Sequence, residues 1–186
     1  MKIILASSSP RRKELMKEIS SSFDIIPSSY DEIVNTHLSI KKQVQEIAKN
    51  KGLEIHQKHP NDLVISADTI VVFKDEIIGK PKDEKDAFII LKKLSDNTHE
   101  VLTAFYLFYK ERVIHDVVSS KVTFNKMSDE LIKEYISSKS PLDKAGAYGV
   151  QDNDKYRFIK KVEGSINNVV GFPVKEIKEA IQKIEQ

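Results

Sequence analysis

The sequence predicts an α/β fold built around a mixed β-sheet. Three observations predict it. Short apolar runs alternate with helical spacing over the first seventy residues, two pairs of β-rich runs flank short polar turns, and further helical segments follow them. Strand–helix alternation makes parallel pairs and hairpins make antiparallel ones, so a purely parallel sheet is not expected.

The elements follow in order. Ile3–Ala6 reads as a short buried strand. Ser9 is placed to cap a helix from Pro10 to about Glu18, with proline at the first position, where its missing N–H costs nothing. Phe23–Ile26 is a second strand, ended by Pro27, and Tyr30–Thr36 reads as loop. Ser39 is placed to cap a long helix to about His56, on which Val44, Ile47, Ala48 and Leu53 keep helical spacing. Leu63–Ala67 is a buried strand with Asp68 and Thr69 at its end. Ile70–Phe73 and Glu76–Ile78 form a hairpin about Lys74-Asp75, broken at Gly79-Lys80-Pro81. Asp83–Leu94 is an amphipathic helix. His99–Tyr109 and Val113–Phe124 form a second hairpin, and Ser128 caps a helix to about Ser137. Pro141–Gln151 is a glycine-bearing loop with room for a short strand, and Tyr156–Val162 is a strand. Asn167–Pro173 is turn-rich, and Val174–Ile184 is a closing helix.

Composition bounds the function. A chain of 186 residues without repeats or low-complexity tracts is expected to form a single domain spanning 1–186. The net charge of +2 gives no bulk attraction for nucleic acid, so an anion site must be local. Cysteine is absent, which removes thiolate chemistry and agrees with a cytoplasmic location. No stretch approaches the roughly 20 apolar residues of a membrane span. A strand pattern starting after Lys2 leaves no room for a signal peptide.

The chemistry-bearing residues are individually modest. Ser7-Ser8-Ser9-Pro10-Arg11-Arg12 runs from strand through a hydroxyl-rich turn into a helix, a geometry that collects phosphate. Two arginines at a helix start oppose the helix dipole, a repulsion that a phosphate joining them would offset. By spacing alone, a capped surface helix with solvated arginines is an equal reading. No G-x-x-x-x-G-K-[ST] loop occurs. Asp68, where a strand runs out, suits a cation or a water-activating base, although a turn aspartate is the commoner case. Glu32 in its loop and Lys51 on its helix read alone as solvated. Lys80 is held between Gly79 and Pro81, which would aim its amine, although a plain loop lysine is the commoner case. Gln151 offers a donor and an acceptor, the complement a base edge needs, although a surface glutamine beside turn glycines is the default reading. The five histidines show no metal-ligand spacing.

Taken together and in order, these segments resemble the Maf (septum-formation-inhibitor) family. The resemblance rests on Leu-Ala-Ser-Ser-Ser-Pro-Arg-Arg at 5–12, Ser-Ala-Asp-Thr at 66–69 and Gly-Lys-Pro at 79–81. It rests also on Asp-Lys-Ala-Gly-Ala-Tyr-Gly-Val-Gln at 143–151 and Val-Gly-Phe-Pro at 170–173, and covers residues 2–182. It implies a fold like the inosine-triphosphatase group, with a central mixed sheet flanked by helices and two lobes around a deep cleft. It implies a nucleoside triphosphate pyrophosphatase that cuts between the α- and β-phosphates with a divalent metal, Mg²⁺ or Mn²⁺. Asp68 is then implied as catalytic base. Ser7, Arg12, Lys51 and Lys80 are implied to handle phosphates, Glu32 to join Asp68 at the metal, and Arg11, Thr69 and Gln151 to distinguish substrates. The motif pairing resembles the branch acting on dTTP and UTP rather than that acting on 7-methyl-GTP. A non-enzymatic nucleotide-binding regulator of cell division is the competing reading. A homodimer is allowed but not required, and neither nucleic acid nor membrane is an expected partner.

The chain departs from the family pattern at two places. Asp152 stands where glycine commonly follows the glutamine, which is expected to alter the loop or add charge near a base pocket. Gly52 follows Lys51 where alanine is usual, and is expected only to cost the helix about 1 kcal/mol. Four cations gathered about Asp68 are expected to lower its pKa.

Overall fold

A computed structural model describes all 186 residues. The strands are β1 (Ile3–Leu5), β2 (Asp24–Ile25), β3 (Leu63–Phe73), β4 (Glu76–Ile78), β5 (Thr98–Tyr109), β6 (Arg112–Phe124) and β7 (Ile159–Glu163). The helices are α1 (Pro10–Met16), α2 (Ile40–Lys58), α3 (Glu84–Leu94), α4 (Asp129–Ser137), α5 (Asn153–Tyr156), α6 (Ile166–Val170) and α7 (Val174–Ile184). One open sheet runs β2-β1-β3-β5-β6-β7, with β4 added on β3. β1 pairs in parallel with both β2 and β3, whereas β3–β4 and β6–β7 are antiparallel, so the sheet is mixed as the alternation of units and hairpins predicts.

The chain divides into two compact units whose boundaries fall inside β3, β5 and β6. The first comprises Met1–Thr69, Thr103–Val118 and Gly171–Gln186. Its core gathers Leu5, Met16, Ile65, Ala67, Phe105 and Leu107 with Phe172, Ile177 and Ala180. The second comprises Ile70–Leu102 and Ser119–Val170, and its core gathers Val71, Phe73, Leu91, Leu94, Phe124, Ile132, Tyr135, Tyr148 and Phe158. Each core joins one strand face to an apolar helix face, the arrangement that removes most apolar surface from water.

Two of the caps expected from the sequence form: Ser9 accepts from the Arg12 N–H and Ser128 from the Leu131 N–H. Asp83, expected as the first residue of its helix, is instead the cap of α3 and accepts from the Asp86 N–H. Ser39 makes no such bond at α2. The expected break after Ala67 does not exist: β3 runs on through Asp68 and Thr69 to Phe73, because Thr69, Ile70, Val71 and Val72 are all compatible with continued pleat. The glycine-bearing loop holds three 3₁₀ turns, Ser140–Asp143, Ala145–Ala147 and Val150–Asp152, and no strand. Gly146 there has φ +73°, which ends any extended run. Tyr156 closes α5 rather than opening a strand, and Arg157, at φ 50°, turns the chain into β7. The Asn167–Pro173 segment contains the short helix α6.

Candidate active site around Asp68

β1 is registered against Leu63–Ile65 and β4 against Val71–Phe73, so residues 66–70 of β3 have neither partner. Asp68 lies in the middle of this stretch and is only 8% exposed. What the sequence presents as a strand end is the end of pairing with β1.

Lys51 reaches Asp68 from α2. Its ammonium donates to Asp68 Oδ1 at 2.8 Å and to Glu32 Oε1 at 2.6 Å. The neighbouring Gly52 makes this approach possible. A Cβ there would lie 2.4 Å from Ser66 Oγ and 2.5 Å from the Phe108 ring, so any side chain would push α2 off β3 and β5. Ser66 Oγ donates to the Ala48 carbonyl at 2.7 Å and closes the same contact. Gly52 is therefore a packing requirement, not merely a loss of helix propensity.

Glu32 lies in the irregular segment between β2 and α2, and a second carboxylate tethers that segment. Glu54, one turn beyond Lys51, accepts from Ser28 Oγ at 2.5 Å, Ser29 N–H at 2.9 Å, Ser29 Oγ at 2.6 Å and Tyr30 N–H at 3.1 Å. Asn50 donates to the Tyr30 hydroxyl at 3.0 Å. The serine hydrogen bonds hold the Glu54 pKa down at about 2. Sequence reasoning missed Glu54. Its i,i+3 relation to Lys51 was visible, but nothing linked it to a turn more than twenty residues upstream.

Arg12 approaches from α1. Its Nε donates to the Gly171 carbonyl at 2.9 Å, its Nη2 to Thr69 Oγ1 at 3.1 Å, and its Nη1 reaches Ser7 Oγ at 3.5 Å. Thr69 also shares a hydrogen bond with Thr103 at 2.9 Å. Gly171 has φ +113°, and a Cβ there would sit 3.0 Å from Thr69 Oγ1. Glycine is needed both for that backbone and for the close approach. α1 has only seven residues, so the fixed charge of Arg12, rather than a helix dipole, supplies the positive potential. Arg11, half-buried beside it, lowers the Arg12 pKa a little further by like-charge repulsion.

The electrostatics reverse one expectation. Burial raises the Asp68 pKa, and the attractions of Lys51 and Arg12 only partly offset it. Burial also lowers the Arg12 pKa, with Asp68 opposing that shift. A buried carboxylate between two cations, with a raised proton affinity, is suited to accept a proton or hold a cation beside an anionic ligand.

Ser7, Arg12, Glu32, Lys51, Asp68 and Thr69 thus all belong to the first unit, in two hydrogen-bonded sets, Arg12 with Ser7 and Thr69 and Lys51 with Asp68 and Glu32, coupled by the attraction of Arg12 for Asp68. Lys80 and Gln151 belong to the second unit. Lys80 is exposed just after β4, and the preceding Gly79 carbonyl accepts from the Gly146 N–H at 3.1 Å, which ties two sequence motifs together. Gln151 is exposed on the 3₁₀ turn Val150–Asp152. No group of three or more His, Cys, Asp or Glu side chains is arranged to hold a metal ion. His56 meets the Lys110 carbonyl at 2.9 Å, and His99 meets the Tyr148 hydroxyl at 2.7 Å.

The model of the Maf-like protein family matches residues 2–184. The dTTP/UTP pyrophosphatase of Clostridium botulinum strain Eklund 17B is 43% identical, covering 98% of this chain and 99% of its own. That of Pyrococcus abyssi is 41% identical over 97% and 95%. The Staphylococcus aureus Ham1 protein superposes over the full length of both chains with a TM-score of 0.51 at 13% identity, a likeness of fold.

Proposed function

We propose a function from a plain premise: the chain belongs to the family of Maf-like proteins. It is a nucleoside triphosphate pyrophosphatase that hydrolyses dTTP and UTP between the α- and β-phosphates, releasing the monophosphate and pyrophosphate. Full-length relatives carrying that name support the activity. The structural observation that carries it is the buried Asp68 carboxylate set between Lys51 and Arg12.

The residues divide the work. Asp68, once ionised, takes a proton from the attacking water, and its raised proton affinity favours that transfer. Arg12 is held by Gly171 and Thr69, near enough for its charge to attract Asp68, and is pre-oriented for phosphate oxygens without further ordering. Ser7 adds a hydroxyl on the same guanidinium. Thr69 joins Arg12 to Thr103, so its influence on substrate choice runs through the arginine. Lys51 neutralises Asp68 and Glu32 in the free protein and is available to phosphate when they take another partner. The roles of Lys80 with phosphate, Arg11 in substrate choice and Gln151 in base reading rest on their motif positions.

A divalent cation fits the donor set. Asp68 and Glu32 already converge on one positive charge, and Mg²⁺ takes one or two carboxylates and fills its remaining positions with phosphate and water. When bound, such an ion neutralises phosphate charge and makes water more acidic.

The test is a panel of nucleoside triphosphates assayed with Mg²⁺ and with Mn²⁺, with products identified. The reading expects monophosphate and pyrophosphate, fastest from dTTP and UTP. Diphosphate and inorganic phosphate as products, or binding without turnover as for a nucleotide-sensing regulator, would overturn it.

A further inference from the structure

Both flanks of Gln151 are tied to one buried phenol. Tyr135 on α4 has no exposed surface. Its hydroxyl accepts from the Gly149 N–H at 3.0 Å and donates to Asp152 Oδ2 at 2.7 Å. Ser140 Oγ donates to the same Asp152 oxygen at 2.7 Å. The buried Lys144 ammonium extends the network. It donates to the Ser140 carbonyl at 2.5 Å, Ser140 Oγ at 3.1 Å and Asp143 at 2.8 Å. Burial and the Asp152 carboxylate both raise the Tyr135 pKa, which keeps the phenol protonated and able to donate.

Gln151 sits between the two tethered residues. Its amide folds back over Gly149: a Cβ on Gly149 would lie 2.8 Å from Gln151 Nε2 and 2.9 Å from Lys144 Cε. The residue held by the Tyr135 hydroxyl is therefore the one against which the glutamine amide rests. An amide distinguishes bases only if its donor and acceptor ends stay in fixed places, and a lone 3₁₀ turn has little stiffness of its own.

We propose that Asp152 is a positioning residue that, through Tyr135 and Ser140, fixes the turn presenting Gln151 and so sharpens the choice of nucleobase. This rests on the pyrophosphatase reading and on Gln151 as the base-reading side chain. The charge that the sequence suggested would perturb a base pocket is instead spent on two hydroxyl donors. A charge-assisted hydrogen bond to each is stronger than a neutral one and suits a clamp.

Asp152→Ala, Asp152→Asn and Tyr135→Phe would be compared with the wild type for turnover of dTTP, UTP and a purine nucleoside triphosphate, and for hydrogen exchange at the Gly149 amide. In Asp152→Ala, which removes both charge-assisted contacts, the preference for dTTP over the purine nucleotide should fall at least about tenfold, through KM rather than kcat. The Gly149 amide should exchange faster. Asp152→Asn, which keeps an acceptor oxygen, should recover much of both, while Tyr135→Phe should lose both. A wild type releasing no pyrophosphate overturns the functional reading. An active wild type whose Asp152→Ala and Tyr135→Phe variants keep both base preference and Gly149 protection overturns this inference alone. Faster Gly149 exchange with unchanged base preference likewise overturns it, since Asp152 would then serve only the fold.

Discussion

At Asp68 two effects of opposite sign meet, and burial prevails over two neighbouring cations. The folded-state pKa lies above the ordinary 3.8. For a raised pKa, the group's contribution to stability is fully present below the unfolded value and is lost as pH rises through the folded one. The ionised carboxylate thus costs stability at neutral pH. Asp68→Asn should keep the fold but lose hydrolysis by roughly 10²–10⁴, the range for removal of a general base. It should also melt higher than wild type at neutral pH, an advantage that shrinks as the pH falls toward 3.8. Turnover assays and thermal melts at two pH values check both parts, and undiminished turnover would refute the catalytic role. The acid limb of the wild-type kcat/KM profile should likewise lie above the usual aspartate range. Gln151→Ala should blur base preference more than it slows phosphate chemistry; unchanged selectivity across nucleotides would remove it from base reading.

Among elements, α2 does most to assemble the site. It carries Lys51 to Asp68, Gly52 against Ser66 and Phe108, and Glu54 to the Ser28–Tyr30 turn. Gly52→Ala would gain about 1 kcal/mol of helix propensity. Against that, a methyl 2.4–2.5 Å from a bonded hydroxyl and an aromatic ring should cost up to about 3 kcal/mol. The expected net result is a lower denaturation midpoint; a raised midpoint would show that α2 moves freely. Glu54→Ala should free the Ser29 amide and leave the Tyr30 amide only its bond to Ser28 Oγ, and hydrogen exchange should quicken, most at Ser29. Because Glu32 follows that turn by two residues, the variant should also need more nucleotide–metal complex for half-maximal rate. Protected amides with unchanged KM would show that the loop holds itself.

For the molecule as a whole, 30 basic and 28 acidic residues leave little long-range field, so recognition of an anion depends on the few cations near Asp68. Duplex DNA at physiological salt should therefore not inhibit nucleotide turnover, and strong inhibition would reveal a basic surface that bulk charge conceals. No helix is long and apolar enough to cross a membrane. The sequence by itself determined the order of the strands and of the five longer helices, the mixed sheet, the caps at Ser9 and Ser128, and the residues that carry charge and hydroxyls toward Asp68. Helical spacing, turn residues and caps act over a few positions, so they are readable along the chain. Only the tertiary structure decided that β3 runs unbroken through Asp68, that burial raises its pKa, and that Gly52, Glu54 and Gly171 hold the site's cations and acids in place. Those outcomes depend on strand register, close approach and desolvation, each a sum over groups far apart in sequence.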